Sequence, residues 1–240
     1  MNRIVVHLIL VLLVFPVRNS EAQTLDQILE KHFSASGQDR LNEISSVKSS
    51  GKAVQMGMEL PFLQIQKRPN MMYLELDIDG SKLIQAFDGV AGWSDEPWMD
   101  PPRRKLEGPE LANLEQMAAI DSDLVNWRDK GHSLELVEPE TTDHGSYYVL
   151  KLTRKEGNIY RYYIDSGTLL IHRMVILTDM GGDMIEGETI MTDYREIDGI
   201  VVPFWVEMKF GGRTLMTNII EEIEFNVQIE DSTFSGHPDR

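Results

Sequence analysis

No cysteine occurs among the 240 residues of the chain. Disulfides, thiolate metal sites, cysteine nucleophiles and the acylated cysteine that anchors a lipoprotein are therefore excluded. Basic charge is also in short supply, with 23 Lys and Arg against 39 Asp and Glu and a formal net charge of −16. Such a surface cannot neutralise phosphates, so no nucleic acid is expected as a partner. Motifs of catalysis are missing as well. His32, His132, His144, His172 and His237 are scattered without an HExxH or paired ligand spacing. There is no G-x-S-x-G elbow, Walker loop or dinucleotide fingerprint. We therefore expect no metal, no cofactor and no catalytic residue. Asp165-Ser166-Gly167-Thr168 matches the aspartic-protease tetrapeptide, but one copy between two strand-like runs reads as a hairpin turn. Glu221-Glu222-Ile223-Glu224 lacks the EF-hand pattern and reads as a solvated strand edge.

What is present is globular in balance, 42% hydrophobic and 26% charged. Long apolar runs are confined to the start. Arg3 gives a positive n-region, Ile4 to Phe15 is apolar apart from His7, and Pro16 ends the run before Ser20-Glu21-Ala22. The small residues at −3 and −1 predict a secretory signal cleaved between Ala22 and Gln23. About 12 apolar residues fall short of the roughly 20 that a spanning helix needs. Cleavage removes Arg3, Arg18 and Glu21, two basic residues and one acidic, so −16 becomes −17. The expected product is one domain, residues 23–240, exported to the periplasm, soluble, not lipidated and monomeric.

Thr24 with Gln27 fits a capping box, and Leu25, Ile28, Leu29, His32 and Phe33 form one helical stripe ending near Gly37. A short helical turn is expected at Asp39 to Ile44. From Val47 the period changes to 2. Met72, Leu74, Leu76 and Ile78 alternate with polar neighbours, as do Phe204, Val206, Met208 and Phe210. Turn signals at Asp79-Gly80, Asp88-Gly89, Gly157-Asn158, Gly181-Gly182, Asp198-Gly199 and Gly211-Gly212 predict an antiparallel meander of about ten or eleven strands. It is interrupted by a proline-rich loop over Pro97 to Pro109 containing Arg103-Arg104-Lys105. A helix follows over Glu110 to Ile120, with Leu111, Leu114, Met117 and Ala118 on one face, and then a short helical segment over Asp123 to Lys130. A sheet of that length coils or closes. The expected fold is α+β: a strongly curved sheet forming an incomplete β-barrel with a helical lid. Thirteen methionines, nine of them in predicted strands at 56, 58, 71, 72, 174, 184, 191, 208 and 216, suit either ordinary core packing or an adaptable apolar lining.

The run Gln66-Lys67-Arg68-Pro69-Asn70-Met71-Met72, then Ile84 to Gly89 and Trp93 with Pro97, resembles the LolA/LolB-like outer membrane lipoprotein-sorting proteins. Lys130 to Leu136, Tyr162 to Thr168 and Asp193 to Pro203 extend the likeness over essentially the whole mature chain. The resemblance implies an unclosed barrel whose hydrophobic cavity takes acyl chains of lipoproteins or lipids. It also implies inner-membrane release machinery and an outer-membrane acceptor as partners. Arg68 matches the carrier arginine that bonds lid carbonyls in the closed state, and Met72 falls at the cavity mouth. The expected cavity and lid residues are Arg68, Met72, Leu74, Leu76, Trp93, Leu25, Ile28, Leu29, Phe33, Leu111, Leu114, Met117 and Met208. A lipid- or lipoprotein-sensing module on the same scaffold, or a secreted hydrolase with an unrecognised site, remain alternatives.

Overall fold

A computed structural model of the protein describes residues 23–143, 145–180 and 183–235, the side chains of 178–180, 183 and 184 excepted. The expected leader and its cleavage point, His144, His237, the Gly181-Gly182 turn and the Met184 side chain lie outside what is described.

The chain opens with helix α1 (Leu25–Ser36). Its capping box is complete, because the Thr24 hydroxyl accepts from Gln27 N and the Gln27 side chain accepts from Thr24 N. Gly37 stops it at φ 73°. A side chain there would put Cβ 2.0 Å from the Gly199 carbonyl oxygen, so glycine lets the helix end touch the backbone of the sheet. The expected short turn is α2 (Gln38–Asn42).

The strands then run β1 (Ser46–Gln55), β2 (Met58–Lys67), β3 (Met71–Ile78), β4 (Ser81–Phe87), β5 (Gly92–Asp95) and β6 (Arg103–Leu106). After helix α3 (Gly108–Ala118) come β7 (Ser133–Thr142), β8 (Gly145–Thr153), β9 (Ile159–Asp165), β10 (Ile171–Met180), β11 (Asp183–Ile197), β12 (Ile200–Phe210) and β13 (Arg213–Phe225). All pair antiparallel in one sheet of order β6-β5-β4-β3-β2-β1-β13-β12-β11-β10-β9-β8-β7. This is an incomplete barrel. Two meanders join at β1 and β13, while β6 and β7, consecutive in the chain, form the two outer edges. The chain crosses from one edge to the other through α3 and a strap, residues 119–132.

Among the described residues there are thirteen strands where ten or eleven were expected. β5 and β6 have four residues each, too few to show an alternation, and the Arg103-Arg104-Lys105 cluster read as loop lies inside β6. Nor is there a helix over Asp123 to Lys130. That stretch is a series of turns, with Val125 N donating to Ser122 O and Lys130 N to Asn126 O. Asn126 sits at φ 52°, which a right-handed helix does not accommodate. The Asp165-Ser166-Gly167-Thr168 motif is a turn, its Asp165 Oδ1 accepting from Gly167 N, Thr168 N and Thr168 Oγ1.

Directly paired residues share a face, so the register traces one side of the sheet from edge to edge. Met72 pairs with Gln66, Gln66 with Val47 and Val47 with Phe225. Farther along, Asn218 pairs with Val206, Met208 with Thr189 and Thr189 with Met174. Both helices pack on this inner face. Met72, Phe87 and Leu106 meet Leu114 and Ala118 of α3, while Leu134, Leu150, Leu152, Tyr160, Tyr162 and Ile164 meet Ile28 and Leu29 of α1 with Leu124 of the strap.

Candidate functional site

The two covered regions are separate clusters at opposite ends of the inner face. Between them lie β2, β1, β13, β12 and β11. Their inward residues include Phe62, Ile220, Met216, Val206, Met208 and Met191, all half-buried, together with the polar Gln64, Asn218 and Thr189. Leu74 and Leu76 extend this floor from β3, with Leu74 still touching the α3 cluster. A floor of half-buried aliphatic and thioether side chains can adapt to an apolar guest.

The expected residues divide between the two covered regions instead of meeting in one cluster. Met72 and Leu114 are fully buried where α3 meets the sheet, and Leu111 and Met117 pack around them. Ile28 and Leu29 are buried under α1, with Leu25 and Phe33 beside them. Met208 faces inward from β12. Trp93 does not belong to this set. Gly92 pairs with Phe87, and a Cβ on Gly92 would stand 2.8 Å from Leu111 Cδ1 and 3.3 Å from Leu114 Cδ2, so Gly92 is the residue under α3. Its neighbour Trp93 points to the outer face, where it donates to Phe234 O at 3.1 Å and lies under the Arg103 guanidinium. Met56 and Met58 leave the lining as well: they sit at the β1–β2 hairpin tip, 92% and 49% exposed. Met71, next to inward Met72, faces outward.

Arg68, just past β2, sits at a junction. Its Nε donates to Ile44 O at 2.7 Å and its Nη2 to Leu41 O at 3.1 Å, tying down the end of α2. The same guanidinium grips Asp121 of the strap in a two-pronged pair, Nη1 to Oδ2 at 2.5 Å and Nη2 to Oδ1 at 2.8 Å. The Arg68 hydrogen bonds hold the Asp121 carboxyl below its ordinary range, against the opposing effect of partial burial. Gln38 of α2 adds a donor at 3.4 Å. Arg68 therefore bonds one α2 carbonyl, Leu41 O, one just past the helix, Ile44 O, and a strap carboxylate, while the end of α3 is held by Gln66, whose Nε2 donates to Met117 O at 2.7 Å and Ala119 O at 3.3 Å.

Two residues beyond Asp121, Asp123 is held from the other meander. Arg154, just after β8, donates Nε to Asp123 Oδ2 at 2.7 Å and Nη1 to Gln116 Oε1 of α3 at 3.0 Å. The His132 ring stands 3.8 Å from Asp123, the arrangement that a hydrolase reading asks for. Arg154 takes the other oxygen of that carboxylate, Oδ2, and His132 Nδ1 accepts from Lys155 N at 3.3 Å. Among the described residues no group of three or more His, Asp or Glu could hold a metal ion. No described helix is long and apolar enough to cross a membrane. A cleft of about 710 Å³ also opens between α1 and the strap, its lining including Leu29, Phe33, Leu124 and Trp127 with Asp26 and Glu30.

Asp121, Asp123 and Arg154 were not expected at the site from the sequence, and Gln66 entered only as the first residue of the run around Arg68. They pair over separations of 31 to 53 residues, and nothing local marks them.

Neither a protein-family model nor a curated protein matches the chain. Solved structures do. A DUF1329 family protein from Desulfovibrio piger superposes with TM-score 0.61 at 15% identity, over 87% of this chain and 97% of its own. A LolA superfamily protein from Nitrosomonas europaea gives 0.60 at 14%, over 90% and 99%. A domain from Vibrio parahaemolyticus named for outer membrane lipoprotein sorting gives 0.56 at 11%, over 86% and 97%. At these identities the likeness is one of architecture. The chain has the LolA-like fold, a single open antiparallel sheet with helices laid over its inner face.

Proposed function

We propose that this protein is a periplasmic carrier that shields the acyl chains of lipoproteins or lipids against the inner face of its sheet. The observation that carries the reading is the half-buried apolar floor between two helical covers, with a strap pinned above it by charge-assisted bonds. An acyl chain of about a dozen carbons costs on the order of 10 kcal/mol to expose, at roughly 0.8 kcal/mol per methylene. A carrier must enclose such a chain and then release it without covalent chemistry. An apolar guest can replace the contacts of a cover's own apolar stripe, so that binding shifts an opening equilibrium once the polar contacts at the cover's end are released.

In this reading Arg68 latches the closed state. Leu74, Leu76 and Met208 meet the chain, while the α3 stripe of Leu111, Leu114 and Met117 moves. The α1 stripe of Leu25, Ile28, Leu29 and Phe33 forms the fixed side. Met72 marks where α3 seats. Loading from inner-membrane machinery and delivery to an outer-membrane acceptor complete the cycle, with the mature chain, residues 23–240, acting as a soluble monomer. Its charge keeps it off anionic membrane surfaces between encounters. The test is to purify the mature protein from its native envelope, extract it with organic solvent and identify what is released by mass spectrometry. Stoichiometric acyl lipid or lipidated peptide is the expected result. A protein that carries none, and that takes up no fluorescent fatty-acyl probe when purified, would sink the carrier reading.

A further inference from the structure

We propose that Arg154 is a second latch, set opposite Arg68, and that the strap lifts from the inner face only when both Asp121 and Asp123 are released. This rests on the carrier reading for its purpose, though not for its geometry.

The two arginines come from different meanders. Arg68 follows β2, whereas Arg154 follows β8, and between them they hold carboxylates two residues apart in the segment that joins the edges of the barrel. The second pair is the drier one. Side chains of Arg154 and Asp123 are 17% and 18% exposed, against 28% and 26% for Arg68 and Asp121, so its attraction is less screened.

Arg154 also reaches farther. Its guanidinium bonds Gln116 of α3, the helix that covers the opposite meander, and lies 4.7 Å from the centre of the Tyr160 ring on its own. One side chain thus joins the strap, α3 and the β7–β13 meander. Lys130 tightens the same spot by donating to Ser122 O at 2.9 Å. A strap pinned at one carboxylate could pivot about it. Pinned at two, it lifts as a unit, and the contributions of the two latches add in free energy and multiply in rate.

The experiment uses the full mature chain and a fluorescent fatty-acyl probe. Uptake rate and equilibrium affinity are measured alongside amide exchange at Ser122 to Leu124 and the urea midpoint. Arg154→Gln removes a charge-assisted pair and is expected to speed both uptake and strap exchange by about tenfold. Arg154→Lys should restore part of this, since an ammonium still pairs with Asp123 but drops the Gln116 arm. Asp123→Asn, close in shape, breaks the same pair from the other side but keeps the Gln116 arm, so it should speed uptake and strap exchange in the same direction by a smaller factor. Joining Arg68→Gln to Arg154→Gln should multiply the two effects, to about a hundredfold.

A structural salt bridge would lower the urea midpoint and leave uptake rate and strap exchange where they were; that outcome overturns the proposal. So does a double variant no faster than Arg68→Gln alone. If no form of the protein takes up the probe, the carrier reading fails, and accelerated strap exchange in Arg154→Gln and Asp123→Asn still decides the latch.

Discussion

The two helices over the inner face are secured in opposite ways. α1 has a complete capping box at one end, a left-handed glycine against the sheet backbone at the other, and Ile28, Leu29 and His32 buried between. α3 has no side-chain cap at its start, buries Leu114 and Ala118, and relies on Gln66 of the sheet to hold its last carbonyls. Helices this short draw their stability from caps and from the face they bury. α1 therefore belongs to the core of its meander, and α3, though it too buries an apolar face, has the weaker end contacts. In the proposed carrier the difference makes α3 the moving side and α1 the fixed one, because segments that open come from the less stable end of the molecule.

The largest expected effects strike α1. Gly37→Ala drives a Cβ to 2.0 Å from a backbone oxygen at positive φ, which no side-chain adjustment relieves, and should cost about 3 kcal/mol or more in urea unfolding. Gly92→Ala is the matched change beneath α3. There the obstacle is the tip of Leu111, so a cost of about 1 kcal/mol is expected, read as faster amide exchange in α3 with α1 unchanged. Equal losses of global stability would erase the distinction between the two helices.

Core truncations sharpen it. Ile28→Ala should lower the free energy of urea unfolding by about 3 kcal/mol, with all spectroscopic signals shifting together. Leu114→Ala removes a side chain that is equally buried, but its cost should appear mainly as local opening of α3, seen by amide exchange and faster probe uptake. Thr24→Ala, which breaks the capping box, should cost about 1 kcal/mol and leave uptake unaltered.

Acid should reverse the order of loosening. Burial lowers the His32 pKa, partly offset by its 2.8 Å bond to Leu169 O, so the neutral ring is favoured on folding. The stability that this neutral ring contributes is present above pH 6.5 and lost as pH falls below that value. Asp121 is depressed by Arg68, so its contribution persists until pH falls below the ordinary carboxylate value of 3.8. NMR shifts followed from pH 7.5 to 3 should therefore move first around α1 and only later around the strap. Simultaneous movement would contradict the assignment. This is the smallest effect of the set, since each group adds only a fraction of the global stability.

Much of the architecture could be read from period alone. The stripe from Leu25 to Phe33, the alternation of β3 and β12 and the glycine turns are local patterns, and the two meanders follow from them. β5 and β6 escaped because four residues cannot display a period, and the Asp123 to Lys130 turns escaped because Asn126 breaks a stretch otherwise composed for a helix. At the site, the resemblance drew attention to Arg68, but not to its partner. Asp121 and Asp123 are exposed-looking residues in a polar segment, and what makes them functional candidates is the meeting of two meanders that no local window contains. Trp93 was misplaced for a related reason. A large aromatic invites assignment to an apolar interior, yet the close approach of α3 selects glycine at the inward position and turns the tryptophan outward.

That outward tryptophan has a practical side. Beyond β13 the chain runs back along the sheet, with Val227 O accepting from Ser46, Ile229 O from Lys67 and Phe234 O from Trp93. Phe234 is fully buried at the end of this path, so the tail is anchored on the side of β5 turned away from α3. A fluorophore attached at Ser235, the last described residue of this path, would sit beside Phe234 on that side, away from α3.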